Sequence, residues 1–299
     1  MFLKPPKAST DKRVRSLLQK AARRGHAQVV DRALVRLDAS GDKRWLRSRA
    51  IVITFEECWP LAASLSIDPE LSSKRTALLS VTEAAKQKDA AGLGALAHAY
   101  REGDQSMADC VPDRRVLRIV SEALGRPEAF FEWVLGQSRS QQTTNVIRSA
   151  HRYLPAATWQ WDKACILAGA LLATIGDMPT IELGDVPSEE FPYWVAVDKH
   201  TPEGKVALAE IAKQVNSSYR QLIWASFYYE SARVNRLLQS PWWEAERFWR
   251  LRRAGLPLGA AEELWSRARP LVRQRLETDA AALKKFVDAV PSPNATLAW

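Results

Sequence analysis

The sequence predicts an all-α fold of stacked helical hairpins. Three observations lead there: apolar residues recur at i, i+3, i+4 and i+7 in one segment after another, no alternating strand pattern survives, and Gly- or Pro-containing breaks separate the segments. The 299-residue chain is 46% apolar and 26% charged, a composition that buries a self-sufficient core and excludes a disordered tail protein.

Taken in order, Lys12 to Arg24 sets Val14, Leu17, Leu18 and Ala21 on one helical face, and Gly25 stops the helix. Ala27 to Leu37 repeats the pattern with Val29, Val30, Ala33, Leu34 and Leu37, while Arg32 and Arg36 lie opposite. Ser40-Gly41-Asp42 supplies the next turn, so the first two helices are expected to form an antiparallel hairpin. The run from Trp45 to Phe55 is rich in β-branched residues, but its length and flanking helices favour a buried helix ending near Pro60. Further helices are predicted at 72–87, 90–101, 113–124, 127–135, 141–153 and 158–175.

The stretch 176–191 holds Pro179, Gly184, Pro187 and several acids, and reads as a long loop or an internal boundary. Thr201 then has the character of an N-cap, with Pro202 at the first helical position and Glu203 in the first turn of a helix to about Gln214. A helix over 217–239 follows. Ser240-Pro241 repeats the cap pattern before a Trp-rich helix to Arg253, and helices at 258–278 and 280–290, kinked at Pro270, precede a loose tail at 291–299. These breaks suggest a basic hairpin domain at 1–110, connecting helices at 111–176 and a second helical subdomain at 177–299. No internal period marks a regular solenoid.

Several classes of chemistry lack their residues. The glycines at 92 and 94 have no accompanying Lys and Ser or Thr, so no phosphate-binding loop is present, and no His-Glu-x-x-His pattern occurs. The four histidines, His26, His98, His151 and His200, are isolated in sequence. Cys58, Cys110 and Cys165 are odd in number and far apart, which predicts reduced, buried or half-buried thiols and neither a disulfide framework nor a zinc site. No cofactor and no metal are expected. No apolar run reaches bilayer length and the first residues build no signal segment, so a cytoplasmic protein with no membrane contact is expected.

Charge is the most uneven property. The formal net charge is +9, yet residues 1–50 alone hold fourteen Lys or Arg against four Asp. A second cluster between Arg233 and Arg275 holds ten Arg against four Glu, and the stretch between Asp177 and Glu203 is acidic. Basic ends around a neutral or acidic middle suit a surface that neutralises phosphates. Candidate contacts to nucleic acid are Lys12, Arg13, Arg15, Lys20, Arg23 and Arg24 in the first cluster, and Arg247, Arg250, Arg252 and Arg253 in the second. Trp242, Trp243, Trp249 and Trp265 interleave with the second cluster and are candidate interface anchors.

Glu56-Glu57 follows a buried run, and Asp198-Lys199-His200 precedes a helix start, so a carboxylate and an imidazole are able to meet. The simpler expectation is structural: a buried acid pairing Arg24 or Arg49, and a histidine that orders the helix start beside Thr201.

The series Leu18-Gln19-Lys20-Ala21-Ala22-Arg23-Arg24-Gly25-His26, then Ala33 to Leu37, then Arg44 to Glu57, resembles the C-terminal helical region of the replication-associated recombination protein A family, the MgsA and Werner-interacting ATPases. In that family a Lys-Ala-hydrophobic-Arg-Arg-Gly hairpin precedes an Arg-Arg-Leu-Val-hydrophobic-Ala-x-Glu-Asp element. Asp198 to Gly204 is similar to a His-Thr-x-x-Gly segment of stand-alone relatives. The likeness spans 14–65 and, more loosely, 194–255, and singles out Gly25, Glu56, Glu57, His200, Thr201 and Gly204 as motif positions. Cys58-Trp59-Pro60 departs from the family's apolar-Gly continuation, and its ATPase module is absent. The resemblance implies a clamp-loader-collar-like oligomerisation domain, without catalysis of its own, acting at stalled or recombining replication forks.

Three functions follow as expectations. The first is a non-enzymatic helical module of DNA replication, recombination or repair that contacts nucleic acid and self-associates or docks on a partner ATPase. The second is a protein-interaction scaffold of a mobile-element or defence system with no nucleic-acid role. The third is an enzyme using Glu56 or Glu57 with His200.

Overall fold

The computed structural model describes residues 12–65, 71–187 and 193–289. Among these residues thirteen α-helices are present and no strand forms, as the periodicity predicts. They are α1 (Lys12–Arg24), α2 (Ala27–Ala39), α3 (Lys43–Cys58), α4 (Leu71–Glu83), α5 (Asp89–Arg101), α6 (Arg114–Ala123) and α7 (Pro127–Gly136), then α8 (Gln141–Tyr153), α9 (Gln160–Leu172), α10 (Pro202–Gln214), α11 (Tyr219–Ser226), α12 (Pro241–Arg253) and α13 (Leu258–Asp288). Gly25, at φ +81°, turns the chain between α1 and α2, a conformation that glycine adopts without strain. The expected loose tail at 291–299 and parts of the 176–191 loop lie outside the described residues.

Two hydrophobic cores form, and neither follows the sequence divisions at 110 and 176. The first joins the two ends of the chain: Leu17, Leu18, Leu34 and Leu46 pack with Leu208, Leu222, Trp265 and Leu276. The second is built from the middle, with Phe55, Leu93, Leu96, Phe131, Ile147 and Ile166. Helices α3 and α12 belong to both. α3 gives Leu46, Ala50 and Ile53 to the first core and Ile51, Val52 and Phe55 to the second, which explains why its sequence looks apolar all round. α12 gives Leu251 to the first and Trp242, Ala245 and Trp249 to the second.

The connector between α4 and α5, residues 84–88, is buried yet non-helical. Its backbone groups are satisfied by three other segments: Ala85 N donates to Glu182 O (2.9 Å), Lys86 N to Arg236 O (2.7 Å) and Gln87 N to Glu57 O (2.8 Å), while Lys86 O accepts from Leu238 N (2.9 Å). The fully buried Lys86 ammonium donates to Val81 O, Thr82 O and Ala84 O and closes the C-terminus of α4. α5 packs tightly through its glycines. A Cβ on Gly92 would stand 2.3 Å from Trp242 O, and one on Gly94 2.5 Å from Cys165 N.

Three boundaries differ from the sequence reading. The helix expected over 72–87 ends as α4 at Glu83, because residues 84–87 leave it to pair with other segments in the buried connector. The helix expected over 217–239 ends as α11 at Ser226 and passes into a π-helical turn at Phe227–Ser231. Beyond it the backbone extends, because Arg236 and Leu238 pair with the buried connector. Conversely, the two helices expected after Leu258 are one. The buried stripe Leu276, Ala280, Leu283 and Val287 carries α13 through residue 279, and Pro270 lies on its exposed side.

Candidate functional site

The two cores meet along a cleft of about 460 Å³ walled by α1, α3, α5, α9, α11 and α12 and by the segment before α10. Each wall delivers charge. Lys20 and Arg23 come from α1, Arg49 and Glu56 from α3, Lys88 from the buried connector, Asp162 from α9, Asp198 and Lys199 from the segment before α10, and Glu246 and Arg250 from α12.

At the base, Glu57 is 1% exposed and takes Arg23 Nε at 2.6 Å on one oxygen and Lys88 Nζ at 2.9 Å on the other. Burial alone would raise its pKa, but Lys88 and Arg23 outweigh that and hold it at about 2. Beside it, Arg49 bridges Glu56 at 2.9 Å and Asp162 at 3.0 Å, while its buried Nε makes no hydrogen bond.

On the α1 side, Lys20 Nζ donates to Val197 O and lies 3.9 Å from Asp198 Oδ2. Burial lowers its pKa to about 8 despite that carboxylate. Asp198 also accepts from Ser16 Oγ and from the backbone N of His200. Burial opposes its ionisation, yet Lys20 and these hydrogen bonds bring its pKa well below the usual carboxylate range. Across the cleft, Glu246 is buried and bonded to Tyr228 OH and to Arg250 Nε (2.9 Å).

Aromatic faces complete the walls. Trp224 lies under Lys199 Nζ at 3.5 Å and under the Arg250 guanidinium at 4.6 Å. Arg250 also stacks on Trp161 at 4.8 Å, and Lys88 on Trp243 at 4.6 Å. Phe227 and Ser231, from the π-helical turn, reach the same wall. Such turns are rare and concentrate at functional sites. Trp159 stands at the rim, 72% exposed. Five carboxylates in and behind the walls therefore face six cations, and Lys199 is the cation that none of them pairs.

The structure divides the candidate nucleic-acid contacts. Lys20, Arg23 and Arg250 converge on the cleft from opposite ends of the chain. Lys12 is exposed at the start of α1. The others do not pool into one basic surface. Arg13 pairs with Glu203 (3.8 Å), Arg15 with Asp42 (2.6 Å), Arg24 with buried Glu230 (2.5 Å), Arg247 with Glu244 (2.5 Å) and Arg253 with Asp104 (2.7 Å), while Arg252 bonds to Ser106 O. The Trp interface needs a similar correction. Trp242, Trp249 and Trp265 are 6%, 0% and 5% exposed and belong to the cores, because their helix faces seal α12 and α13 against neighbours. Only Trp243 of that set reaches the cleft.

The motif residues take structural parts. Thr201 Oγ accepts from Gly204 N at 3.2 Å and caps α10, and a Cβ on Gly204 would stand 2.1 Å from Asp198 O. His200 lies at the cleft mouth with its ring against Asp198 Oδ1 (2.9 Å), while Glu56 and Glu57 are held by arginines and a lysine. Glu56 and His200 share the cleft, but each is engaged by a different charged partner. The three cysteines are free, two buried and one half-buried. Among the described residues no group of His, Cys, Asp and Glu is arranged to hold a metal ion, and no helix is long and apolar enough to cross a membrane.

Sequence reasoning did not single out Lys88, Asp162, Trp161, Trp224 or the separate status of Lys199. Their convergence arises from packing between segments far apart in the chain, and only the Asp198-Lys199-His200 run carried a local signal. The chain defines an all-helical protein with a central charged and aromatic cleft; no family model, curated protein or solved structure matches it.

Proposed function

We propose that this chain is a helical nucleic-acid-binding module, without catalytic turnover of its own, that receives an unpaired nucleotide of a single DNA strand in the central cleft. The observation that carries the reading is the juxtaposition of Trp224, Phe227 and Trp243 with Lys199 and Arg250 in one recess of nucleotide-compatible size. Aromatic faces stack bases, the cations hold a phosphate, and exposed Trp159 offers a platform for the next base.

Single strand is favoured over duplex on charge. Many outward arginines that would track a duplex backbone are already paired with acids, so few counterions are released. The sequence resemblance over 14–65 and 194–255 supports the finer reading: a clamp-loader-collar-like body that acts in replication, recombination or repair and self-associates or docks on a partner ATPase. The alternative of a protein scaffold loses its expected surface with the burial of Trp242, Trp249 and Trp265.

Anisotropy titrations with a labelled oligothymidine and a duplex of equal length, between 50 and 300 mM salt, test this. The single strand should bind more tightly, with a slope of log affinity against log salt of about −0.7 to −1.4, as for one or two phosphates. Trp224→Ala, confirmed folded by circular dichroism, should weaken binding roughly five- to a hundredfold. Equal or tighter duplex binding, a steep slope near −5, or unchanged affinity in the variant overturns the reading.

A further inference from the structure

Three lysines reach the cleft, and their ammonium groups are treated differently. Lys20 Nζ is pinned by Val197 O and Asp198, and Lys88 Nζ by Glu57 at 2.9 Å. Lys199 Nζ instead rests on aromatic carbon, 3.5 Å from the Trp224 ring centre and 4.9 Å from that of Phe227, with no carboxylate among the described residues in ion-pair reach.

From this arrangement we propose that Lys199 is a nucleophilic amine that captures an aldehyde-bearing ligand in the cleft as a covalent imine. The inference does not depend on the nucleic-acid reading. An amine becomes a nucleophile when its charged form is disfavoured, either by desolvation or by a neighbouring cation, and Lys199 has both. Burial, the largest cause, and Arg250 of α12 together bring its pKa down to about 8 against the opposing pull of Glu246, also of α12, and of Asp198 on its own segment. A useful fraction is therefore uncharged near neutral pH, and among the described residues no carboxylate engages the nitrogen.

The step balances without an oxidant or reductant. The Nζ lone pair attacks the carbonyl carbon, the C=O electron pair moves to oxygen and takes a proton, and the amine gives up its own protons as water leaves. One aldehyde and one amine give one imine and one water. The aromatic wall suits a planar ligand body. Arg250 suits an anionic substituent on it.

The probe is 4-carboxybenzaldehyde, an anionic aromatic aldehyde, trapped on the full chain with cyanoborohydride and located by peptide mass mapping. Lys199 should be modified at least tenfold faster than exposed Lys43, Lys205 and Lys213 at pH 7, with a rate that levels off near pH 8 while theirs keeps rising. Lys199→Arg should abolish the fast site. Arg250→Met should slow modification of Lys199 at pH 7 by removing the neighbouring cation, a change that a merely structural lysine would not register. If Lys199 reacts no faster than Lys43 in the folded chain, or if the fast site maps to Lys20 or Lys88, the proposal fails. Because the probe is not a nucleic acid, this result is separate from the oligonucleotide titration.

Discussion

Lys88 Nζ lies 2.9 Å from Glu57 Oε2, and both side chains are almost fully buried, so the end of α3 is tied to the α4–α5 connector by a desolvated ion pair. Arg23 from α1 occupies the second oxygen at 2.6 Å and makes the pair a triad. Three segments from the first ninety residues are thereby locked at the floor of the cleft.

Removing the carboxylate should be costly. Glu57→Gln leaves the buried Lys88 ammonium without its carboxylate and Arg23 with Glu56 alone, and is expected to destabilise the fold by about 3–5 kcal/mol, measured by urea unfolding. A loss under 1 kcal/mol would show that the triad is not desolvated in solution.

The same residue sets an acid limb. Its folded pKa, about 2, lies below the ordinary value of 4.5, so its contribution is complete above pH 4.5 and is lost as pH falls toward 2. Full expression of that shift corresponds to roughly 3 kcal/mol, and Glu57→Gln should flatten the unfolding profile in this window. An unchanged profile would rule the assignment out.

An opposite limb belongs to the lysines. Lys20, Lys86 and Lys199 have folded pKa values lowered to about 8 from 10.5. Between those values the unfolded chain binds more protons, so these groups make stability rise with pH through that window. Lys199→Met should remove one proton's worth of that rise and increase stability at pH 7. Chemical denaturation at pH 7, 8, 9 and 10 reads both effects.

Close approach of α5 to its neighbours predicts intolerance at Gly92. A methyl group there meets the Trp242 carbonyl at 2.3 Å, a backbone atom that cannot rotate away. Gly92→Ala should cost about 1–3 kcal/mol despite the better helix propensity of alanine. A stabilised variant would mean that α5 and α12 are farther apart than described.

Pro270 predicts the reverse. It is exposed inside α13, where its ring denies the Ser266 carbonyl a helical partner. Pro270→Ala should raise stability by up to about 3 kcal/mol, read from the denaturation midpoint at constant slope.

The local structure was largely legible from periodicity and caps. Val14, Leu17, Leu18 and Ala21 mark α1 as they should, and Thr201-Pro202 opens α10 where the cap pattern puts it. The end of α11 was not legible, because the chain leaves the helix to pair with residues 84–88, a partner 150 residues away. Trp242 and Trp249 looked like surface anchors because charge surrounds them in sequence, whereas their own helix face is apolar and sealed. The cleft was the least legible part. Glu56 and Glu57 were expected to meet an arginine, and do, but Lys88, Asp162 and Trp224 join them only through packing between the cores.

The first core closes only when α13 returns to the opening hairpin. On a ribosome, α1 and α2 would cover each other and meet α4 early, but the part of their apolar surface that faces α13 would wait for about 240 further residues, roughly ten to fifty seconds at 5–20 residues per second. The central helices are able to condense during that interval. The newborn chain thus carries a half-closed, sticky core until α13 emerges, and chaperone demand should fall sharply once α13 clears the exit tunnel.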